Sequence, residues 1–135
     1  MSRRRSRAAA GDTGAAVVDF LGVLGLLLLL FLVVLQLGLV LHVRNVLVAA
    51  AQEGARHDAN ADVVVGEGKA ITEAAIAQAL SSKAAGQTVV STPTLVDVGD
   101  GQSAVEVTVD ASVPLVFVFP EIHLRVRGHA LREGP

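Results

Sequence analysis

The residues most able to do chemistry are few and widely spaced. The chain of 135 residues contains no cysteine, which excludes a disulfide framework, a thiolate nucleophile and a cysteine-based zinc site. Its four histidines show no H-E-x-x-H or similar metal-binding spacing. They are His42, His57, His123 and His129. His123 and His129 could share one face of a strand, but surface histidines are the better interpretation.

Other active-site patterns are missing as well. Asp97 and Asp100 lie beside glycines, yet the D-x-[DN]-x-[DN]-G calcium loop is not satisfied and a hairpin turn accounts for them. The sequence has no G-x-S-x-G, no phosphate-cradling Gly-Lys-Ser/Thr and no Cys-His pair. We therefore predict no enzymatic activity, no cofactor, no metal and no small-molecule substrate.

One carboxylate stands at the start of a long apolar stretch. Gly14 is followed by small and apolar residues, then by Asp19 and Phe20. An ionised group at this depth costs on the order of a few kcal/mol unless it is paired or reaches water. If a peptidase cut after Gly14, the new α-amino group of Ala15 would lie one helical turn from Asp19 and could pair with the Asp19 of a neighbouring helix. The alternative is a plain membrane anchor, with Asp19 near the positive end of the helix dipole.

The apolar stretch is long enough to cross a membrane. From Phe20 to Leu41 the only polar side chain is Gln36, and a helix of that length covers ~33 Å, against a hydrocarbon core of about 30 Å. Five consecutive leucines, Leu26 to Leu30, leave no polar face, which excludes a helix lying in the interface. A helix buried in a soluble core is the competing interpretation, but the chain has too little other apolar mass to surround it.

The charges on either side of the span predict its orientation. Arginines cluster before the span, with only Asp12 against them: Arg3, Arg4, Arg5 and Arg7. Beyond the span the positive charges are balanced by acids, so the positive-inside rule places the N-terminus in the cytoplasm and the rest outside it. A nucleic-acid-binding arm is disfavoured because no aromatic residues are interleaved with the arginines.

A cleavable secretory signal is the main rival to a permanent span. Ala49 to Ala51, ahead of Gln52, satisfy an A-x-A pattern. The apolar run is, however, longer than the ~7–15 residues of a usual signal peptide, and polar residues at 42–45 separate it from the alanines.

Past the span, helical spacing gives way to strand spacing. An apolar stripe continues the first helix as a stalk through Val43, Val46, Leu47, Ala50, Ala51 and Gly54. A second helix is predicted over Lys69–Ala84, with its inner side formed by Ile71, Ala75, Ile76, Ala79 and Leu80. A hairpin is predicted next. Its first strand is the β-branched run Thr88–Val98, its turn is Gly99–Gly101, and its second strand shows alternation at Val105, Val107 and Val109. Leu115–Phe119, between two prolines, is too short to span a membrane and should pack on the sheet or lie near lipid.

The last strand should turn Ile122, Leu124 and Val126 inward and His123, Arg125 and Arg127 outward. The predicted fold class is α+β, with a transmembrane helix extended as a stalk and one helix packed on a three-stranded antiparallel sheet. We predict four divisions: a basic cytoplasmic leader, 1–14; a transmembrane helix, 15–43; a stalk helix, 44–65; and an extracytoplasmic α+β domain, 66–135. The leader should be disordered over residues 1–13. In the stalk helix, Glu53 should pair with Arg56 or His57.

Three stretches resemble a known family. The basic leader, Gly14, four small or apolar residues, an acid at Asp19 and Phe20 resemble a class III signal for prepilin peptidase. Together with the run Val43–Ala59 and the closing Gly128–Glu133, they resemble the TadE family of minor pseudopilins in Flp-type tight-adherence pilus systems. In that family the acid is usually Glu, where this chain has Asp19.

The resemblance implies processing after Gly14 and a structural role in assembly of a pilus or a related secretion filament. It names Gly14, Ala15, Asp19 and Phe20 as processing and assembly residues. It implies as partners the membrane, a prepilin peptidase, a pilus assembly platform and other pilins or pseudopilins, with no nucleic acid. The alternative hypothesis is an unprocessed membrane anchor that presents a binding module outside the cell.

Overall fold

The computed structural model describes residues 9–60, 62–113 and 121–132. Three helices precede four strands in chain order. They are α1 Ala9–Ala59, α2 Gly68–Ala79, α3 Ser82–Gly86, β1 Thr88–Val90, β2 Thr94–Gly99, β3 Gln102–Val113 and β4 Ile122–Leu131. The chain divides into two compact units, Met1–Gly38 and Leu39–Pro135. The α+β class is confirmed.

The first unit contains the apolar part of α1. In the described part of the chain, one helix is long and apolar enough to cross a membrane, Gly14–Ala59. The side chains of Leu26 to Leu30 are between 55 and 66% exposed, so the protein does not cover them. Leucine side chains in that state need an apolar solvent, and a bilayer supplies one.

The helix begins earlier and ends earlier than the sequence predicts. Ala9–Thr13 are already helical, although we expected a disordered leader over residues 1–13. At the other end α1 stops at Ala59, six residues before the predicted end at residue 65. The predicted apolar run Leu115–Phe119 lies outside the described residues.

The sheet of the second unit is built around β3. Strand β4 pairs with it antiparallel over ten consecutive positions, from Ala104↔Leu131 to Val113↔Ile122. Strands β1 and β2 lie end to end along the other edge of β3, both antiparallel to it. The sheet therefore has three rows, as predicted, but four strands.

The extra strand arises from a break within the predicted strand Thr88–Val98. Ser91 N still donates to Thr108 O at 2.9 Å, and pairing resumes only at Thr94. Pro93 has no amide hydrogen and restricts the backbone of Thr92, so the ladder cannot continue through these two residues. The predicted turn is present, with positive φ at Gly99, Asp100 and Gly101.

The core lies between one face of this sheet and the second half of α1. Sheet residues Val107, Val109 and Val126 are buried, which confirms the predicted alternation of β3 and β4. The helix contributes a buried stripe at the predicted spacing, consisting of Val43, Leu47, Ala50, Ala51, Gly54 and Ala55. Val46 is only half-buried.

The predicted second helix is two helices. Leu80 leaves the helical region, with φ −113° and ψ 158°, and Ser81 starts α3 by accepting a hydrogen bond at its Oγ from Ala84 N at 3.4 Å. A serine hydroxyl is a strong N-terminal cap, and this competes with helix continuation. The predicted inner side is correct for Ile76 but wrong for Ile71 and Ala79, which are exposed.

Candidate processing and assembly site

The four predicted site residues lie together on the exposed part of α1. Gly14, Ala15, Asp19 and Phe20 are all exposed, and Phe20 keeps 66% of its surface. A Cβ placed on Gly14 would meet no atom within 4 Å. No described atom outside the adjoining turns of α1 therefore crowds the Cβ position of Gly14, and the Gly14–Ala15 bond itself is part of this helix.

Ala15 and Asp19 stand four residues apart in one continuous helix. This spacing places them on the same helix face, with Cβ atoms roughly 5–6 Å apart. Among the described residues, Asp19 takes part in no ion pair. A carboxylate in this position, at the end of an apolar helix, is stabilised by a cation from outside the chain or by water.

The histidines of the sheet do not meet at one site. His123 Nδ1 lies 3.1 Å from Ser112 Oγ, and His129 Nε2 lies 2.7 Å from Glu106 Oε2. Between them Arg125 Nε donates to Asp110 Oδ1 at 2.6 Å. Within the described ranges no group of three His, Cys, Asp or Glu side chains could hold a metal ion. The outward face of β3 and β4 is thus a row of cross-strand pairs.

Charged side chains interact at two further places, one between β3 and β4 and one after the end of α1. The hydrogen bond to Asp110, and then its charge, raise the pKa of Arg125 above its usual value. His57 Nε2 lies 3.6 Å from Glu67 Oε2, whereas the sequence predicted pairing of Glu53 with Arg56 or His57. The turn after α1 brings Glu67 back beside the helix, which the local spacing could not reveal.

Sequence reasoning missed a buried carboxylate at the end of α1. Asp58 is 0% exposed. Its Oδ2 accepts from Gly66 N and its Oδ1 accepts from Gly68 N, both at 2.6 Å. It accepts from the first amide of α2, which has no intrahelical partner, and from the amide of Gly66 in the turn before that helix. The signal in the sequence was the acid followed eight and ten residues later by Gly66 and Gly68.

Glycines allow the elements to approach at backbone distance. A Cβ on Gly54 would overlap Thr72 Oγ1 and the Gly68 carbonyl, and a Cβ on Gly128 would overlap the backbone of Ala51 and Gln52. Thr72 itself is buried and donates to Gly68 O at 2.8 Å. A glycine is therefore required on α1 where it meets α2, and on β4 where it meets α1.

These features define a class: a protein with one candidate membrane-spanning helix that continues into the core of a small α+β domain, and with an exposed Gly and Asp near the start of the span.

The comparison with protein families found a match for part of the chain. Residues 14–56 match the family model described as TadE-like protein, and the match begins at Gly14. This segment, about a third of the chain, is therefore similar to TadE-like proteins, which confirms the resemblance predicted for it from the sequence; the closing Gly128–Glu133 lies outside the match. Proteins of this family are structural components associated with Flp/Tad pili. Neither the comparison with curated proteins nor the comparison with solved structures found a match.

Proposed function

We propose that this protein is a pseudopilin-like component of a Flp/Tad-type pilus or a related secretion filament. A prepilin peptidase trims it after Gly14, and it then joins other pilins or pseudopilins through an assembly platform in the membrane. It acts by packing and has no turnover of its own. The observation that carries the proposal is that the TadE-like match begins at Gly14 and follows α1 through the candidate span.

The exposed start of α1 supports processing. A peptidase acting within the membrane needs access to the Gly14–Ala15 bond, and both residues are exposed in the described part of the chain. Cleavage would create a cationic amine on the same helix face as Asp19. Within one helix the two groups are a turn apart, and between two side-by-side helices they can pair directly.

The Asp19 carboxylate would then determine how the helix assembles. An unpaired carboxylate in the membrane costs about 2.5–3.5 kcal/mol at the centre of the span and less near its end. Pairing with a neighbour's Ala15 amine recovers part of that energy only when the two helices lie in one register. The bare apolar surface of Leu26 to Leu30 would supply non-directional packing against the same neighbour.

The proposed setting is a bacterial inner membrane, crossed once. The arginines before Gly14 keep the N-terminus in the cytoplasm, beside the peptidase active site. The domain that follows α1 then lies outside the cytoplasm.

The first test is the intact mass and N-terminal residue of the protein recovered from membranes of its native host. We expect a start at Ala15. A start at Met1 or Ser2 would show an unprocessed anchor and would contradict the proposal. A start at Gln52 would show a secreted product and would contradict both the proposed processing and the unprocessed anchor.

The second test separates trimming from assembly. Asp19→Ala should leave the protein in the membrane at normal abundance but absent from sheared filaments, because the register-setting charge is lost. Asp19→Glu keeps the charge and should assemble, and Asp12→Ala, which lies in the trimmed leader, is the matched control. Normal incorporation of Asp19→Ala would refute the pairing mechanism.

A further inference from the structure

Strand β4 has one edge that no described residue covers. It pairs with β3 over its full length, from Ile122 to Leu131, and with no other strand in the described part of the chain. The opposite edge therefore presents the unpaired backbone N–H and C=O groups of alternate residues along this strand. Such an edge is a template for one more strand.

Four of the five outward side chains of β4 are basic and form what we call the basic row; the fifth, at the end of the strand, is Leu131. His123, Arg125, Arg127 and His129 occupy alternate positions and all are exposed. On β3 the facing residues are Ser112, Asp110, Thr108 and Glu106. Two of the four β3 residues that pair with the basic row are therefore acids.

Arg127 is the cation that β3 leaves without an acid. Its cross-strand neighbour is Thr108, and it takes part in no ion pair among residues 9–60, 62–113 and 121–132. The acids on either side are engaged by Arg125 and His129 at 2.6 and 2.7 Å. The guanidinium of Arg127, within the basic row, therefore has hydrogen-bond donors that no described acid uses.

The opposite side of the same strand is apolar. Leu124 and Ala130 are partly buried against the core, and Val126 between them is 4% exposed. A strand added at this edge would place alternate side chains beside this apolar side and the others beside the basic row. Strand β3 shows the matching pattern in its own sequence, Val105-Glu106-Val107-Thr108-Val109-Asp110.

We propose that the free edge of β4 binds an extended segment of another protein in which acidic and apolar residues alternate. The bound segment continues the sheet, its backbone pairs with β4, and its acids face Arg127 and the basic row. The proposal does not depend on the filament role, because it concerns the sheet and not the span.

Charge argues against a second copy of this chain as the occupant. Two β4 edges paired together would place arginines opposite arginines, and like charges directly opposite are destabilising. The other free edge, β2, offers Thr94 and Val96 on the face that corresponds to the basic row, because these residues pair with Glu106 and Ala104. That edge has no acid on this face to meet Arg127.

The test uses the full chain in nonionic detergent and a synthetic peptide with the sequence of Ser103–Ser112. A second peptide carries lysine at the positions of Glu106 and Asp110. We expect the acidic peptide to bind and to slow amide exchange in β4, with affinity falling as salt is raised. Arg127→Glu should weaken its binding about tenfold, since an attractive pair becomes repulsive. Lys83→Glu makes the same charge change on α3 and should have less than a twofold effect.

The lysine peptide provides the reverse experiment. It should bind the wild type poorly and should bind Arg127→Glu better than it binds the wild type. Arg127→Gln, which removes the charge without reversing it, should give an intermediate affinity and keeps the test valid if the Glu variant unfolds. Absence of binding, equal affinity for both peptides, or protection on β2 instead of β4 would overturn the proposal. Self-association that Arg127→Glu abolishes would identify a second copy as the occupant and would also overturn it.

Discussion

Gly128→Ala tests the packing of the TadE-like helix on the sheet. A methyl group at this position would overlap the carbonyl group of Ala51 and the amide nitrogen of Gln52. Both obstacles are helix backbone and cannot rotate away, so α1 must move off β4. Overpacking of this kind costs about 1–3 kcal/mol.

The movement also loosens contacts elsewhere in the core. Leu47 and Val107 are both 0% exposed, and a gap of ~0.5–1 Å beside them forfeits roughly a quarter to a half of each atomic contact energy. We expect a total loss of about 3 kcal/mol from the free energy of unfolding of this domain. For a domain of this size the midpoint temperature should fall by roughly 12–24 °C.

The assay is thermal and urea unfolding of the full chain in detergent, followed by far-UV circular dichroism, because the chain has no Trp or Tyr. Gly86→Ala is the control, since a Cβ there meets no atom within 4 Å and alanine raises helix propensity. Adding Ala51→Gly should not rescue Gly128→Ala, because the obstructing atoms are backbone. A Gly128→Ala variant within 0.5 kcal/mol of the wild type, or rescue by Ala51→Gly, would refute the argument; these thresholds follow the spread of ordinary surface substitutions.

Three further outcomes follow from the contacts of the domain. Asp58→Ala should destabilise the domain more than Asp58→Asn does, because alanine leaves two amide donors unsatisfied at about 1–3 kcal/mol each. Hydrogen-exchange rates of the Gly66 and Gly68 amides would show the difference. Gly54→Ala should destabilise the domain even when Thr72→Ala is added, because the Gly68 carbonyl still blocks the methyl group; urea unfolding of the double variant checks this. Asp110→Asn should leave the unfolding midpoint unchanged, since the ion pair it breaks is exposed.

The TadE-like match extends past the candidate span for a structural reason. Its last third, from Val43 onward, contains the stripe that packs on the sheet, including Leu47 and Ala51. It also contains Gly54, the point where α2 crosses at backbone distance. The segment therefore combines a candidate membrane-spanning helix with the residues that α1 contributes to the domain core.

Several parts of the fold followed from periodicity alone. The alternation of Val105, Val107 and Val109 gave the correct inner face of β3, because strand side chains alternate strictly. The spacing of Val43, Leu47 and Ala50 gave the correct helix face, because α-helical geometry repeats every 3.6 residues. The candidate site at Gly14 and Asp19 came from the position of the carboxylate together with the resemblance to the TadE family, and both the site and its processing stay predictions.

Other parts required long-range contacts. The two strands on either side of Pro93 were predicted as one strand, because local β propensity is high on both sides of the proline. The buried role of Asp58 was missed because its partners lie eight and ten residues away and become neighbours only after the chain turns.

By itself, the sequence determined the apolar span, its orientation signal, the α+β class and the faces of the principal elements, because these depend on local composition and on the fixed repeats of helix and strand. Only the tertiary structure decided which glycines are contact points, which carboxylate is buried and which cation on β4 lacks an acid. Those properties depend on residues that are distant in sequence and adjacent in space. Gly128 against Ala51 is the clearest case, since nothing near either residue in the sequence indicates the other.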